Sequence, residues 1–174
     1  MRCLACCSIS KSANAGGFGT ERVDALGLFD DGTPEAQGSA MPSTASAESL
    51  NRLTSLVVQA AINVHKTLGP GLLENAYIAC LYFELSKEAV AVETQKALPL
   101  IYRGVRIDCA YRVDLIVGGR VIVEVKAMQS LAPIHSQQLY TYLRIADCRV
   151  GLLLNFGART MKEGIKRVVN DFPE

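Results

Sequence analysis

Asp114-Leu115-Ile116-Val117-Gly118-Gly119-Arg120-Val121-Ile122-Val123-Glu124-Val125-Lys126 is the stretch on which the reading of this chain turns. Two aliphatic, β-branched runs flank Gly118-Gly119, the mark of a hairpin. Alternation puts Glu124 and Lys126 on one face of the second strand. The position of Asp114 depends on the turn. A two-residue loop pairs Val117 with Arg120 and Asp114 with Val123, and leaves Glu124 on the opposite face beside Val113. A three-residue loop, Gly118 to Arg120, pairs Val117 with Val121 and Asp114 with Glu124. This second register gathers Val113, Leu115, Val117, Val121, Val123 and Val125 on one face. The other face then carries Asp114, Ile116, Ile122, Glu124 and Lys126. A slip of one residue would set Arg120 and Glu124 among the aliphatics, so burial selects the three-residue loop.

Two carboxylates and an amine on one patch suggest a chemistry. Hard oxygen ligands on adjacent strands suit Mg²⁺ or Mn²⁺, and such an ion can polarise a phosphoryl oxygen and acidify a water. A neighbouring ammonium can orient that water or meet the charge developing on the phosphate. The plainer alternative is a salt bridge on a solvent-facing strand, with Lys126 between two acids.

Outward from the hairpin, helical spacing of Leu50, Leu53, Val57, Ala60, Ala61, Val64 and Leu68 predicts a first helix, stopped by Gly69-Pro70-Gly71. A second helix is expected from about Leu72 to Lys87, with Leu73, Ala76, Tyr77, Cys80, Leu81 and Leu85 as its apolar face. Strand-like runs follow at 89–94, 98–102, 107–117 and 120–127. Pro133 opens a third helix through about Ile145, Val150 to Phe156 reads as a buried strand, and Met161 to Val169 closes the chain as helix or strand. Glu74 and Tyr77 share one face of the second helix, and Gln138 and Tyr142 share one face of the third. Glu74 has an ordinary reading as a first-turn acid beside the helix's positive end, and Tyr142 one as a packing residue.

The 174 residues, 49% of them hydrophobic, fit one domain, and no apolar run approaches a membrane span. The formal charge of +1 excludes a whole-chain electrostatic argument for nucleic acid. Residues 1–47, rich in Gly, Ala, Ser and Thr and without sustained periodicity, are expected to form a disordered tail. The remainder, 48–174, holds 15 basic and 12 acidic residues, an excess compatible with phosphate contact. Cys3, Cys6 and Cys7 crowd the first seven residues while Cys80, Cys109 and Cys148 lie singly in apolar contexts, and this placement, with no apolar stretch near Met1 for an export signal, points to reduced thiols in the cytoplasm. His65 and His135, far apart and without a C-x-x-C partner in the folded part, make a zinc site improbable. The common phosphate-binding and serine-hydrolase motifs do not occur.

Gly71-Leu72-Leu73-Glu74-Asn75-Ala76-Tyr77 resembles the pattern that names the GxxExxY protein family. Asp114…Glu124-Val125-Lys126 with Gln138-x-x-x-Tyr142 resembles the motifs of the PD-(D/E)XK nuclease superfamily, over roughly Leu50 to Val169. The resemblance implies an α/β fold with a restriction-endonuclease-like core (αβββαβ), a mixed sheet flanked by helices. It makes Asp114 and Glu124 the metal-binding acids, Glu74 the helical acid and a further metal ligand directly or through water, and Lys126 the catalytic lysine. Gln138 and Tyr142 fall on the helical motif of RecB-type members, to steady the phosphate or the lysine. The implied activity is Mg²⁺-dependent (or Mn²⁺-dependent) phosphodiester hydrolysis of DNA, and second of RNA, with departure of the 3′-oxygen. Nucleic acid is the expected partner. A folded part of this size leaves room for a homo-oligomer or a partner protein to extend the grip. The rival expectation is a non-catalytic nucleic-acid-binding or assembly module that keeps the fold.

Overall fold

The structure, a computed structural model, describes residues 46–173; the expected tail falls almost entirely outside them. Ser46 accepts from the backbone N–H of Ser49 and opens α1 (Ala47–Leu68), as a serine at this position does by satisfying a free donor of the first turn. Then follow α2 (Glu74–Ser86), β1 (Val92–Tyr102), β2 (Val105–Val117), β3 (Val121–Lys126), α3 (Pro133–Ile145), β4 (Val150–Asn155), α4 (Met161–Gly164) and β5 (Ile165–Val169). The expected αβββαβ order runs through α2-β1-β2-β3-α3-β4. Among the described residues no helix is long and apolar enough to cross a membrane.

The five strands lie in the order β1-β2-β3-β4-β5. β3 and β4, joined through α3, are parallel, and every other neighbouring pair is antiparallel. The sheet is therefore mixed. Both faces are covered. Leu115, Val117, Val121, Val123, Val125, Leu152 and Leu154 pack with the apolar sides of α1 and α2. Ile116, Ile122 and Leu153 pack with Leu139, Tyr142 and Leu143 of α3. This two-sided burial explains why β3 and β4 read as continuous apolar runs. It also removes the solvent-facing strand that a simple surface salt bridge would need.

Three expectations are corrected. The runs at 89–94 and 98–102 are one strand, β1, whose pairing with β2 shifts between Leu98 and Leu100. Pro99 sits at that irregularity, where a residue without an N–H does least harm to an edge strand. The closing segment is a helix and a strand in succession: Thr160 caps one helical turn and the chain then extends as β5. Leu73, expected on the apolar face of the second helix, is 83% exposed, because the helix begins one residue later and Leu73 is its extended N-cap.

The end of β3 is held from β4. Asn155, only 2% exposed, accepts from the N–H of Met128 (3.0 Å) and of Gly157 (3.1 Å) and donates to the carbonyl of Met128 (2.8 Å). Phe156 donates its N–H to the carbonyl of Lys126 at 2.7 Å. A Cβ on Gly157 would lie 2.2 Å from the carbonyl oxygen of Met128, so the close approach of the two backbones requires glycine. Gly157→Ala is expected to destabilise the protein by at least about 2 kcal/mol, the overpacking range for a contact that cannot relax by a rotamer change. Chemical denaturation measures it, and an unchanged midpoint would show that the two segments can separate.

Candidate active site

The hairpin adopts the three-residue loop. Val117 pairs with Val121, Ile116 with Ile122 and Leu115 with Val123, and Arg120 donates its N–H to the carbonyl of Val117. Gly118 and Gly119 take φ of 60° and 65°, the left-handed region that glycine enters without penalty. The described ladder stops at Leu115–Val123, one pair short of the expected Asp114–Glu124 partnership. At that point a side chain replaces the backbone: Asp114 Oδ2 accepts the N–H of Val125 at 2.8 Å. One alternation further, Glu74 Oε1 at the start of α2 accepts the N–H of Ala127 at 3.2 Å. Beyond the opening β2 also turns over. Val113, expected on the face of Leu115, packs instead in the cluster of Ile116 and α3.

Glu124 and Lys126 share a face, as alternation requires, and meet at 2.7 Å between Oε1 and Nζ. Glu124 is 5% exposed, and its Oε2 is buried without a hydrogen-bond partner. Burial, then the Asp114 charge, push the Glu124 carboxyl up to about 7 against the pull of Lys126. Burial also raises Asp114 from its ordinary value, opposed by the N–H of Val125 and the charge of Lys126. Burial works against the Lys126 ammonium, yet the bond to Glu124 and the charges of Glu124, Glu74 and Asp114 outweigh it and hold its pKa above normal. Lys126 is thus a fixed cation among three acids.

α3 brings the remaining expected pair. Gln138 Nε2 donates to the hydroxyl of Tyr142, whose ring is buried and stands 5.4 Å from that of Tyr111. Burial raises the Tyr142 hydroxyl, and the charge of Glu124 raises it further, which places Tyr142 in the field of the acids. The ring takes the packing role expected for Tyr142, while its hydroxyl is bonded to Gln138.

Sequence reasoning missed two residues. Gln95 donates to Asp114 Oδ1 at 3.2 Å; one glutamine in a polar strand carries no signal of its own. Asn155, which pins the backbone around Lys126, could have been found as an amide closing an otherwise apolar strand. Tyr77 is more structural than its spacing from Glu74 suggested. It is fully buried, stacks on Phe156 at 4.2 Å, donates to the carbonyl of Gly69 and accepts from the N–H of Leu72. Its hydroxyl therefore fixes the turn that delivers Glu74. His65 bonds the carbonyl of Ala158 through Nε2, and His135 Nδ1 accepts from Ala132; both are engaged structurally. Cys80 and Cys148 are free thiols, while Cys3, Cys6 and Cys7 lie outside the described residues.

Among the described residues no three imidazole, thiol or carboxylate groups gather into a metal-binding set. The donors on offer are the Asp114–Glu124 pair, with Glu74 engaged by Ala127. They fit a divalent cation on two counts: hard carboxylate oxygens are the donor type such ions take, and Glu124 Oε2 is a buried acceptor without a donor.

The positions described above lie within the span of one family model. The model of the PD-(D/E)XK nuclease superfamily matches residues 51–168, and the chain belongs to that superfamily. Membership brings a nuclease-type function with nucleic acid as the partner class. Neither the comparison with curated proteins nor that with solved structures gave a match.

A carboxyl group raised from 4.5 to about 7 on folding contributes nothing to the pH dependence of stability below the unfolded value. Between the two values only the unfolded chain ionises, so stability falls as pH rises, by about 3 kcal/mol in all. Metal-free protein is therefore expected to be less stable above pH 7 than near pH 4.5 through this group, with Glu124→Gln flattening the loss. Urea midpoints across that range in chelator test it; an equal slope in both proteins would place the titration elsewhere.

Proposed function

We propose that the protein is a divalent-metal-dependent nuclease that hydrolyses phosphodiester bonds of DNA, or of RNA. Asp114 and Glu124 would hold Mg²⁺ or Mn²⁺, with Glu74 as a further ligand directly or through water. The observation that carries this reading is the buried, partnerless Oε2 of Glu124 beside a second acid. Buried carboxylate oxygens without a donor are rare and call for a ligand, and a cation would also relieve the repulsion between the two acids. A bound divalent ion supplies Lewis-acid polarisation of a phosphoryl oxygen.

The chain's own groups divide the remaining work. Lys126, held cationic by its neighbours, orients the attacking water and meets the charge that develops on the phosphate. Gln138 and Tyr142, already bonded to each other, steady the phosphate or the lysine from α3. Glu74 and Asp114 fix the strand end through the N–H groups of Ala127 and Val125, so that Lys126, between them, is carried on a braced backbone. The finer assignment to the GxxExxY group rests on Gly71, Glu74 and Tyr77. Gly71 has φ 113°, Tyr77 ties the turn, and Glu74 reaches the site, so the three would act as one device for placing an acid.

Mg²⁺- or Mn²⁺-dependent cleavage of single- and double-stranded DNA and of RNA tests the reading. Lys126→Ala is expected to lower the rate at least roughly a hundredfold, the loss typical of one electrostatic group at a reacting centre, while circular dichroism shows the fold retained. Cleavage undiminished by that substitution removes the assignment. Calorimetry is expected to show Mg²⁺ binding to the native protein and its loss in Glu124→Gln. A folded protein that takes up neither ion would instead be the non-catalytic module.

A further inference from the structure

Between α2 and the first half of β1 lies an open groove of about 470 Å³, lined by Asn75, Ile78, Ala79, Tyr82, Thr94 and Gln95. Two of its lining residues adjoin residues of the candidate site. Asn75 follows Glu74 in the first turn of α2, and Gln95 bonds the Asp114 carboxylate. Gln95 also has φ 51°, a left-handed backbone that a residue with a side chain adopts only where its surroundings impose it. It lies opposite Asp114, between the Thr94–Leu115 and Lys96–Val113 pairs, so the backbone is bent where groove and acid meet.

The chemistry of the lining is distinct from that of the acids. Ile78 and Ala79 give an aliphatic floor, Tyr82 offers a ring that is 45% exposed, and Asn75, Thr94 and Gln95 supply amides and a hydroxyl. No lining residue is charged. An uncharged wall beside a cluster of carboxylates has nothing to offer a phosphate, but it suits a flat group with polar edges. Aromatic stacking with amide contacts at the edge is the usual way proteins hold an unstacked base.

We propose that this groove is a subsite for the unpaired nucleobase next to the phosphodiester at Asp114 and Glu124, stacked on Tyr82 and bonded at its edge by Asn75 and Gln95. The proposal rests on the nuclease reading and deepens it: a base inside a duplex is paired and stacked, so the substrate at this point is single-stranded or frayed. Gln95 becomes a positioning residue that links occupancy of the groove to the orientation of Asp114.

The test uses ligands without a scissile bond, so that binding is read apart from cleavage. Thymidine 5′-monophosphate and deoxyribose 5-phosphate are titrated into the full chain with Mg²⁺ and followed by NMR shifts. The nucleotide is expected to bind roughly tenfold tighter, the contribution of one stacked base, and Tyr82→Ala to erase that difference while Tyr82→Phe keeps it. Phe83→Ala, which removes an exposed ring on the same helix that lies under Lys87, is expected to change nothing. Equal affinity for the two ligands, or equal effects of Tyr82→Ala and Phe83→Ala, overturns the subsite. Cleavage assays on single-stranded DNA with an abasic position next to the cut complete the comparison. Lys126-dependent cleavage indifferent to the missing base would sink the subsite and leave the nuclease; base-dependent binding without any cleavage would do the reverse.

Discussion

The hydrogen-bond ladder between β2 and β3 opens at Asp114, and the site follows from how that opening is closed. A strand end buried between two layers must place its N–H groups, because an unpaired donor away from water is costly. Here the N–H groups of Val125 and Ala127 are taken by the carboxylates of Asp114 and Glu74. Satisfying the backbone thus brings acidic oxygens to the spot where Glu124 and Lys126 emerge on the intervening residues. The fold needs acceptors there, and their being carboxylates turns a structural requirement into a chemical one.

The same strand end is secured from its other side. Asn155 binds the Met128 segment through both ends of its amide, Gly157 donates its N–H to that same amide oxygen, and the parallel pairing of β3 with β4 runs through Lys126–Asn155. Lys126 is therefore on a backbone fixed from both flanks, with its freedom limited to the side chain. At a distance, the stack of Tyr77 on Phe156 joins the turn before α2 to the segment after β4. The helix that supplies Glu74 and the strand that braces Lys126 are thereby packed as one unit.

Electrostatics gives this arrangement its bias. Exposed Glu74, half-buried Asp114 and buried Glu124 outnumber the one lysine among them, and the strain concentrates on Glu124, whose carboxyl is pushed up to about 7. Burial of an ionised group without full pairing is unfavourable unless something else arrives. In the function proposed above a divalent cation would answer that imbalance, and in the proposed subsite the uncharged groove alongside would take a different part of the same substrate.

The sequence by itself determined the hairpin register, because a one-residue slip would have buried Arg120 and Glu124 among aliphatics. It also settled the three long helices and the β3–α3–β4 order, because apolar periodicity is a local property. Alternation put Glu124 and Lys126 on one face, where they meet at 2.7 Å, whereas Asp114 reaches the same strand end through the N–H of Val125. Tertiary structure decided what depends on contacts distant in the chain. The two strand-like runs before β2 fused into β1 because β2 offered one continuous edge. Val113 changed sides because the ladder ended at Asp114, an event set by a side chain rather than by alternation. Glu74 found Ala127, Gln95 found Asp114, and Asn155 found Met128 across long separations in sequence. No local pattern encodes such meetings, since each is fixed by the packing of whole elements and only then by the hydrogen bonds their side chains can make.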